Sequence, residues 1–249
     1  MTATTRLANF CQILDKGVIV SGTQEATDKA GRRSEMAYQI AKRGKELKRD
    51  LEFALTRNTG SSAGASGTGA AMAGVEAWLA TNRTTLGATV AGATTPGYST
   101  THAAATDASV AGTFTKAGLD QVIQEVWTSG GNPRIIMTGA HNKTVLSGFT
   151  GIATLYKEIP KLQQGVIVAG ADVYVSDFGE HTVVPNRFSR DQTALVLDME
   201  YFAVSYLRPF QQIPIARTGD ATKRLLLAEC TLEVRNEAAS GKVSDLLTS

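Results

Sequence analysis

A chain of 249 residues can hold one large domain or two small ones around a sizeable apolar core. Its 43% hydrophobic and 19% charged residues exclude wholesale disorder, and 25 Lys and Arg against 23 Asp and Glu leave no global field to draw it onto nucleic acid or membrane. Apolar runs such as 166–169 and 225–228 fall far short of the ~20 residues a membrane helix needs, so no membrane partner is expected. Residues 1–10 are polar and Thr-rich without an apolar signal-peptide stretch, which points to synthesis in a cytoplasm. Cys11 and Cys230 are too few for a disulfide framework and read as small buried hydrophobes.

Residues 12–20 read as extended, with Val18, Ile19 and Val20 a β-favouring run. A single long helix is expected over 24–57. Met36, Ile40, Gly44, Leu47, Leu51 and Leu55 recur at helical spacing on one face, while 42–52 is densely charged on the other. Lys42–Glu46 and Lys48–Glu52 stand as i,i+4 pairs. Gly44 on the apolar stripe suggests a close backbone approach or a bend. The Gly/Ser/Ala-rich stretch 58–71 reads as a mobile loop, and Met72, Val75, Trp78 and Leu79 suggest a short helix. The Thr, Ala and Gly of 81–113 build core poorly, so this stretch is expected to be a surface excursion.

Leu119, Val122, Ile123 and Val126 fit a helix that Gly130-Gly131-Asn132-Pro133 stops. A short buried strand over 134–138 and a helix over 140–149 follow, the order of an α+β domain with a small central sheet. Beyond Gly165 the pattern turns to strands: a hairpin of 173–175 with 181–184, then 194–197 and 202–207. Last comes an alternating run through Leu226, Ala228, Cys230, Leu232 and Val234, long enough to match the helix. A long helix on a long sheet gives an elongated shape with much exposed edge, suited to tiling.

Catalytic and metal signatures are missing. No nucleophile elbow, phosphate-binding loop or zinc-type His-Glu-x-x-His occurs, and the Gly64, Gly67, Gly69 cluster follows a helix and lacks a lysine. His102, His141 and His181 sit in unrelated segments, and His141, Asp177 and His181 match no metal spacing. No catalytic residue, cofactor or metal is expected. Asp15, Glu25 and Asp28 read as a solvated strand end and a helix N-terminus. The basic run 42–49 could meet DNA or acidic groups on a neighbour; Glu46, Asp50 and Glu52 partly neutralise it, and a solvated helix face is the simpler reading.

Several blocks carry a resemblance. Val-Ile-Val-Ser-Gly-Thr-Gln-Glu-Ala from Val18, Ser-Glu-Met-Ala-Tyr-Gln-Ile-Ala-Lys-Arg from Ser34 and Lys-Glu-Leu-Lys-Arg-Asp from Lys45 resemble the start of the spine helix in tailed-bacteriophage major capsid proteins. Phe-Thr-Gly-Ile-Ala-Thr from Phe149, Asp-Val-Tyr-Val-Ser-Asp-Phe-Gly from Asp172, Val-Val-Pro-Asn-Arg-Phe from Val183, Tyr-Leu-Arg-Pro-Phe from Tyr206 and Thr-Leu-Glu-Val-Arg-Asn-Glu from Thr231 extend it over most of the chain.

The resemblance implies the Hong Kong ninety-seven type capsid fold, α+β in class. Its peripheral domain holds a spine helix (here 24–57) and a long strand (225–236), and its axial domain falls mostly in 116–187. The implied partition is a peripheral part in 1–80, a loop excursion in 81–113, an axial domain in 114–190 and a return to the periphery in 191–249. Only about twenty residues precede the Val-Ser-Gly-Thr-Gln-Glu segment, so the family's N-terminal arm and most of its extended loop are expected to be absent from this stretch.

The implied function is a head-shell subunit of the virion, self-assembling into hexamers and pentamers around double-stranded DNA. Portal and scaffolding or decoration proteins would be partners, and DNA would be touched non-specifically at most. Arg32, Arg33, Glu35, Arg43, Glu46 and Arg49 are the candidate subunit contacts, with the 58–71 loop and the axial tip. The rival readings are an encapsulin-like compartment shell and a small hydrolase built on His141 and His181.

Overall fold

The computed structural model describes residues 8–28, 30–87, 104–149 and 173–248. In chain order its elements are β1 (Gln12–Ser21), α1 (Gly22–Ala26), α2 (Glu35–Thr56), α3 (Val75–Trp78), β2 (Asn82–Thr85), α4 (Lys116–Thr128), β3 (Ile135–Thr138), α5 (Ala140–Ser147), β4 (Val173–Ser176), β5 (Gly179–Pro185), β6 (Ala194–Leu197), β7 (Phe202–Ile215), β8 (Ala221–Val234) and β9 (Gly241–Ser244). The expectations for 88–103 and 150–172, including most of the excursion, His102 and the block after Phe149, lie outside the described residues.

Two sheets organise these elements. β1, β8 and β7 form an antiparallel ribbon with β8 in the middle, and a six-stranded sheet runs in the order β2-β9-β6-β3-β5-β4. The alternation read from Leu226 to Val234 buries Ala228, Cys230, Leu232 and Val234. With 14 residues β8 reaches about 46 Å at ~3.3 Å per residue. α2, with 22 residues, spans about 33 Å and lies along this ribbon, setting Leu47 and Leu51 against Leu14, Met72 and Cys230. α4 covers the other sheet, packing Leu119, Val122, Ile123 and Val126 on Ile136, Val196 and Val243. Gly241 lets this happen: a Cβ there would stand 2.6 Å from Val122 Cγ1. A third cluster joins the two sheets. Trp78 and Leu79 pack between Leu195 and Leu197 of β6 and Leu232 and Val234 of β8, with buried aliphatic side chains each worth about 1.5–3 kcal/mol.

The expected single helix over 24–57 is two helices with an elbow at 27–34. Gly31 takes a positive φ of 82°, and Ser34 restarts the helix as N-cap, accepting from Ala37 N. Glu25 completes the cap from α1, since its carboxylate accepts from Glu35 N (3.1 Å), Met36 N (3.2 Å) and the Ser34 hydroxyl (2.7 Å). Its negative charge thus meets the positive end of α2.

The 58–71 stretch is held rather than loose. Ser62 and Ala71 exchange backbone hydrogen bonds, and so do Ala65 and Thr68. Two strands escaped the sequence pattern: β2, inside the expected excursion, and β9. Both are short and carry polar residues; β2 gains its place only by pairing with β9, about 160 residues away, and β9 by bridging β2 and β6. The boundary expected at residue 190 is not a sheet boundary, because β6 and β9 join β3–β5 while β7 and β8 join β1.

Gly44 makes no close approach. Open space surrounds its would-be Cβ, and it lines a groove of about 360 Å³ between α2 and Phe210–Gln212 of β7. Gly44→Ala is therefore expected to stabilise the subunit by about 1 kcal/mol, read as a rise in urea midpoint at unchanged slope.

Candidate subunit-contact surface

The predicted contact residues divide on α2 and its elbow. Arg32 bonds Glu35 at 2.9 Å, and its guanidinium lies 4.6 Å above the Tyr38 ring. Glu35 is only 2% exposed and also takes Gln39 Nε2 at 2.7 Å, so it serves its own chain and is withdrawn as a surface contact. Arg43 binds Glu46 at 2.5 Å, and that hydrogen bond holds the Glu46 carboxyl below the usual carboxylate range. Arg33 and Arg49 are exposed. The expected i,i+4 pairs give way to other partners: Glu46 goes to Arg43, and Glu52 accepts from Asn186 Nδ2 at 2.7 Å.

A further surface, not seen in the sequence, is β7. It is an edge of the ribbon, and Tyr206, Leu207, Phe210 and Ile215 stand exposed along it. Its ladder with β8 slips between Tyr206 and Arg208 and again before Gln211, next to Pro209. Bulges and proline on an edge are the usual means of blocking indiscriminate strand pairing while leaving side chains available. The signal lay in the prolines at 209 and 214, which mark this strand as an edge.

A second feature unseen in the sequence is a buried charged cluster. Glu76 on α3 accepts from Thr193 Oγ1 at 2.8 Å and stands 3.5 Å from Arg190 Nη1, while Lys242 of β9 donates to the Glu76 backbone carbonyl at 2.6 Å. Burial raises the Glu76 carboxyl above its usual range, against the pull of Arg190 and Lys242. Arg190 also binds Asp107 at 2.6 Å, which ties down the stretch after 103 together with the Ala105–Asn58 and Ala108–Asp245 hydrogen bonds. These groups brace the fold from inside and are not a surface.

The hydrolase reading finds no support in the histidines. His141 and His181 sit on different elements, α5 and β5. His181 is 1% exposed. Its Nδ1 donates to the Pro133 carbonyl at 2.6 Å, and its Nε2 faces Ser176 Oγ at 2.7 Å. Burial holds its pKa below the ordinary value. A neutral imidazole anchored by a backbone carbonyl fastens the β4–β5 hairpin, and the carboxylate that would orient a triad base is not its partner. Tyr174 beside it donates to Asp120 instead. Among the described residues no cluster of His, Cys, Asp and Glu could hold a metal, and no helix is long and apolar enough to cross a membrane.

The sequence profile of the SU10 major capsid protein family matches residues 1–247. The chain belongs to this family. The major capsid protein of Escherichia phage Phieco32 is 50% identical over 52 residues, which is 21% of this chain and only 15% of that protein. A chain of the cyanophage A-1(L) capsid asymmetric unit superposes with TM-score 0.65 at 13% identity, over 94% of this chain and 77% of that one. The capsid of an empty GTA particle gives TM-score 0.58 at 12% identity, over 99% and 77%. The holo-SrpI encapsulin complex of Synechococcus elongatus PCC 7942 gives 0.56 at 13%, over 95% and 74%. At such identities the likeness shows the fold alone, the α+β Hong Kong ninety-seven type. The tie to phage major capsid proteins comes from the family, not from this likeness.

Proposed function

We propose that this chain tiles a tailed-phage head, forming hexamers and pentamers through head-to-tail contacts that close into an icosahedral shell around double-stranded DNA. The observation that carries this reading is the α2–ribbon unit, a rod laid along a longer sheet whose edge β7 exposes Tyr206, Leu207, Phe210 and Ile215. Exposed apolar side chains in a row cost solubility in a monomer and are covered when copies pack. In this assignment the ribbon with α2 is the peripheral part, and the six-stranded sheet with α4 is the axial part. Many modest contacts repeated over a closed surface then add up to a strong shell.

Portal and scaffolding or decoration proteins would meet the assembled surface, and the subunit would perform no catalysis of its own. Encapsulin shells share the fold, but nothing in this chain favours that reading over the family to which it belongs. Negative-stain microscopy of the purified protein, with and without an upstream segment, tests the proposal. Closed particles or capsomer rings are expected, whereas a monodisperse monomer under all conditions would overturn it.

A further inference from the structure

The outward side of α2 carries a straight stripe that the fold itself leaves unused. Tyr38, Lys42, Lys45, Arg49 and Phe53 follow one another at i, i+4, i+7, i+11 and i+15, opposite the buried Leu47 and Leu51. All five are exposed, and the stripe runs about 22 Å. The sequence suggests that neighbouring acids neutralise it, but the structure commits each of them elsewhere. Glu46 binds Arg43, Asp50 binds Lys16 at 2.6 Å, and Glu52 accepts from Asn186. Lys42, Lys45 and Arg49 form no ion pair with another described residue. At the ends, Arg32, itself paired with Glu35, lies over Tyr38, and Arg57 lies 4.1 Å over Phe53, adding positive charge beside that ring.

We infer that this stripe is a sequence-independent contact for the phosphate backbone of duplex DNA, an inference that rests on the shell reading above for the DNA's presence. The charge pattern favours DNA over a protein partner. Duplex DNA offers one negative charge per ~1.7 Å of axis, so a row of like cations meets phosphates at whatever register it lands. A protein interface would want an apolar centre, and lysine is depleted from such centres. Here the centre is Lys42, Lys45 and Arg49, and the two rings stand too far apart to form a common hot spot.

The test is fluorescence anisotropy of a labelled mixed-sequence duplex with the full chain held below its assembly concentration, titrated with salt. Lys42→Ala, Lys45→Ala and Arg49→Ala combined should make the dependence of log K on log salt shallower by about 2–3 and weaken low-salt binding by at least about a hundredfold. A control carrying Arg134→Ala and Arg187→Ala, exposed cations outside α2, should bind as the parent does. Alanine is the best helix former, so the triple variant should keep its circular dichroism.

Parent protein that ignores DNA, or a triple variant that binds as tightly as the parent, overturns the inference. So does a triple variant that still binds DNA but no longer associates with itself, which would make the stripe a contact between copies. Particles seen by microscopy without stripe-dependent binding sink this inference and leave the shell reading standing, and stripe-dependent binding without particles does the reverse.

Discussion

Glu76→Ala is expected to cost the subunit about 3–5 kcal/mol, the range typical of stripping one partner from a buried charge group. The side chain is nearly sealed, at 2% exposure, and Lys242 is equally sealed. Removing the carboxylate leaves Lys242 and Arg190 with only the outlying Asp107 and Asp245 to offset their charge and deprives the Thr193 hydroxyl of its acceptor. Glu76→Gln keeps an acceptor for Thr193 but not the charge, so its loss should fall between alanine and the parent. Urea unfolding of unassembled subunits separates the cases. A loss below about 1 kcal/mol for alanine would mean that water enters and solvates the cations, and the cluster would then not be a brace.

The second large effect is a pH dependence. Burial lowers the Lys242 pKa to about 8; Glu76 and Asp245 oppose this and Arg83 and Arg190 reinforce it. The ordinary lysine value of 10.5 applies once the chain unfolds. Between about 8 and 10.5 the unfolded chain therefore holds the extra proton, so stability rises with pH through that window, and below it this group's contribution is flat. The whole excursion is on the order of 3 kcal/mol. Other groups titrate there too, so the measurement is the difference between parent and Lys242→Met. The parent should gain on the variant from pH 8 towards pH 10.5, and parallel curves would show that Lys242 stays charged in the fold.

What the sequence disclosed and what it hid follow from the range of the forces involved. Periodic apolar faces are local, so α4, the long β8 and the seam of α2 could be read directly from Leu119 to Val126, Leu226 to Val234 and Leu47 to Leu51. The elbow was not visible, because the bond that makes it, Glu25 to the start of α2, spans about ten residues of irregular chain. β2 and β9 were hidden for a stronger reason. Asn82-Arg83-Thr84-Thr85 has no strand pattern of its own and becomes one only beside Gly241–Ser244. The contact candidates were chosen by charge alone. Charge marked Arg43 and Arg49, yet only coordinates separate Glu46, bonded to Arg43, from Arg49, which forms no ion pair among the described residues, or show Glu35 turned inward. Edge β7 was not read from the sequence, although Pro209 sits at its bulge and Pro214 near its end, because which side of the ribbon lay open was a matter of topology.

The place of β9 in its sheet has a consequence for biosynthesis. Between β2 and β6, this strand fills the gap that holds the sheet together, yet the ribosome delivers it after every other described strand. A nascent chain lacking it would show Val122, Val126 and Val196 to solvent and could not complete its fold however slowly translation ran. Polypeptides that stop short of β9 would then be natural clients for chaperones.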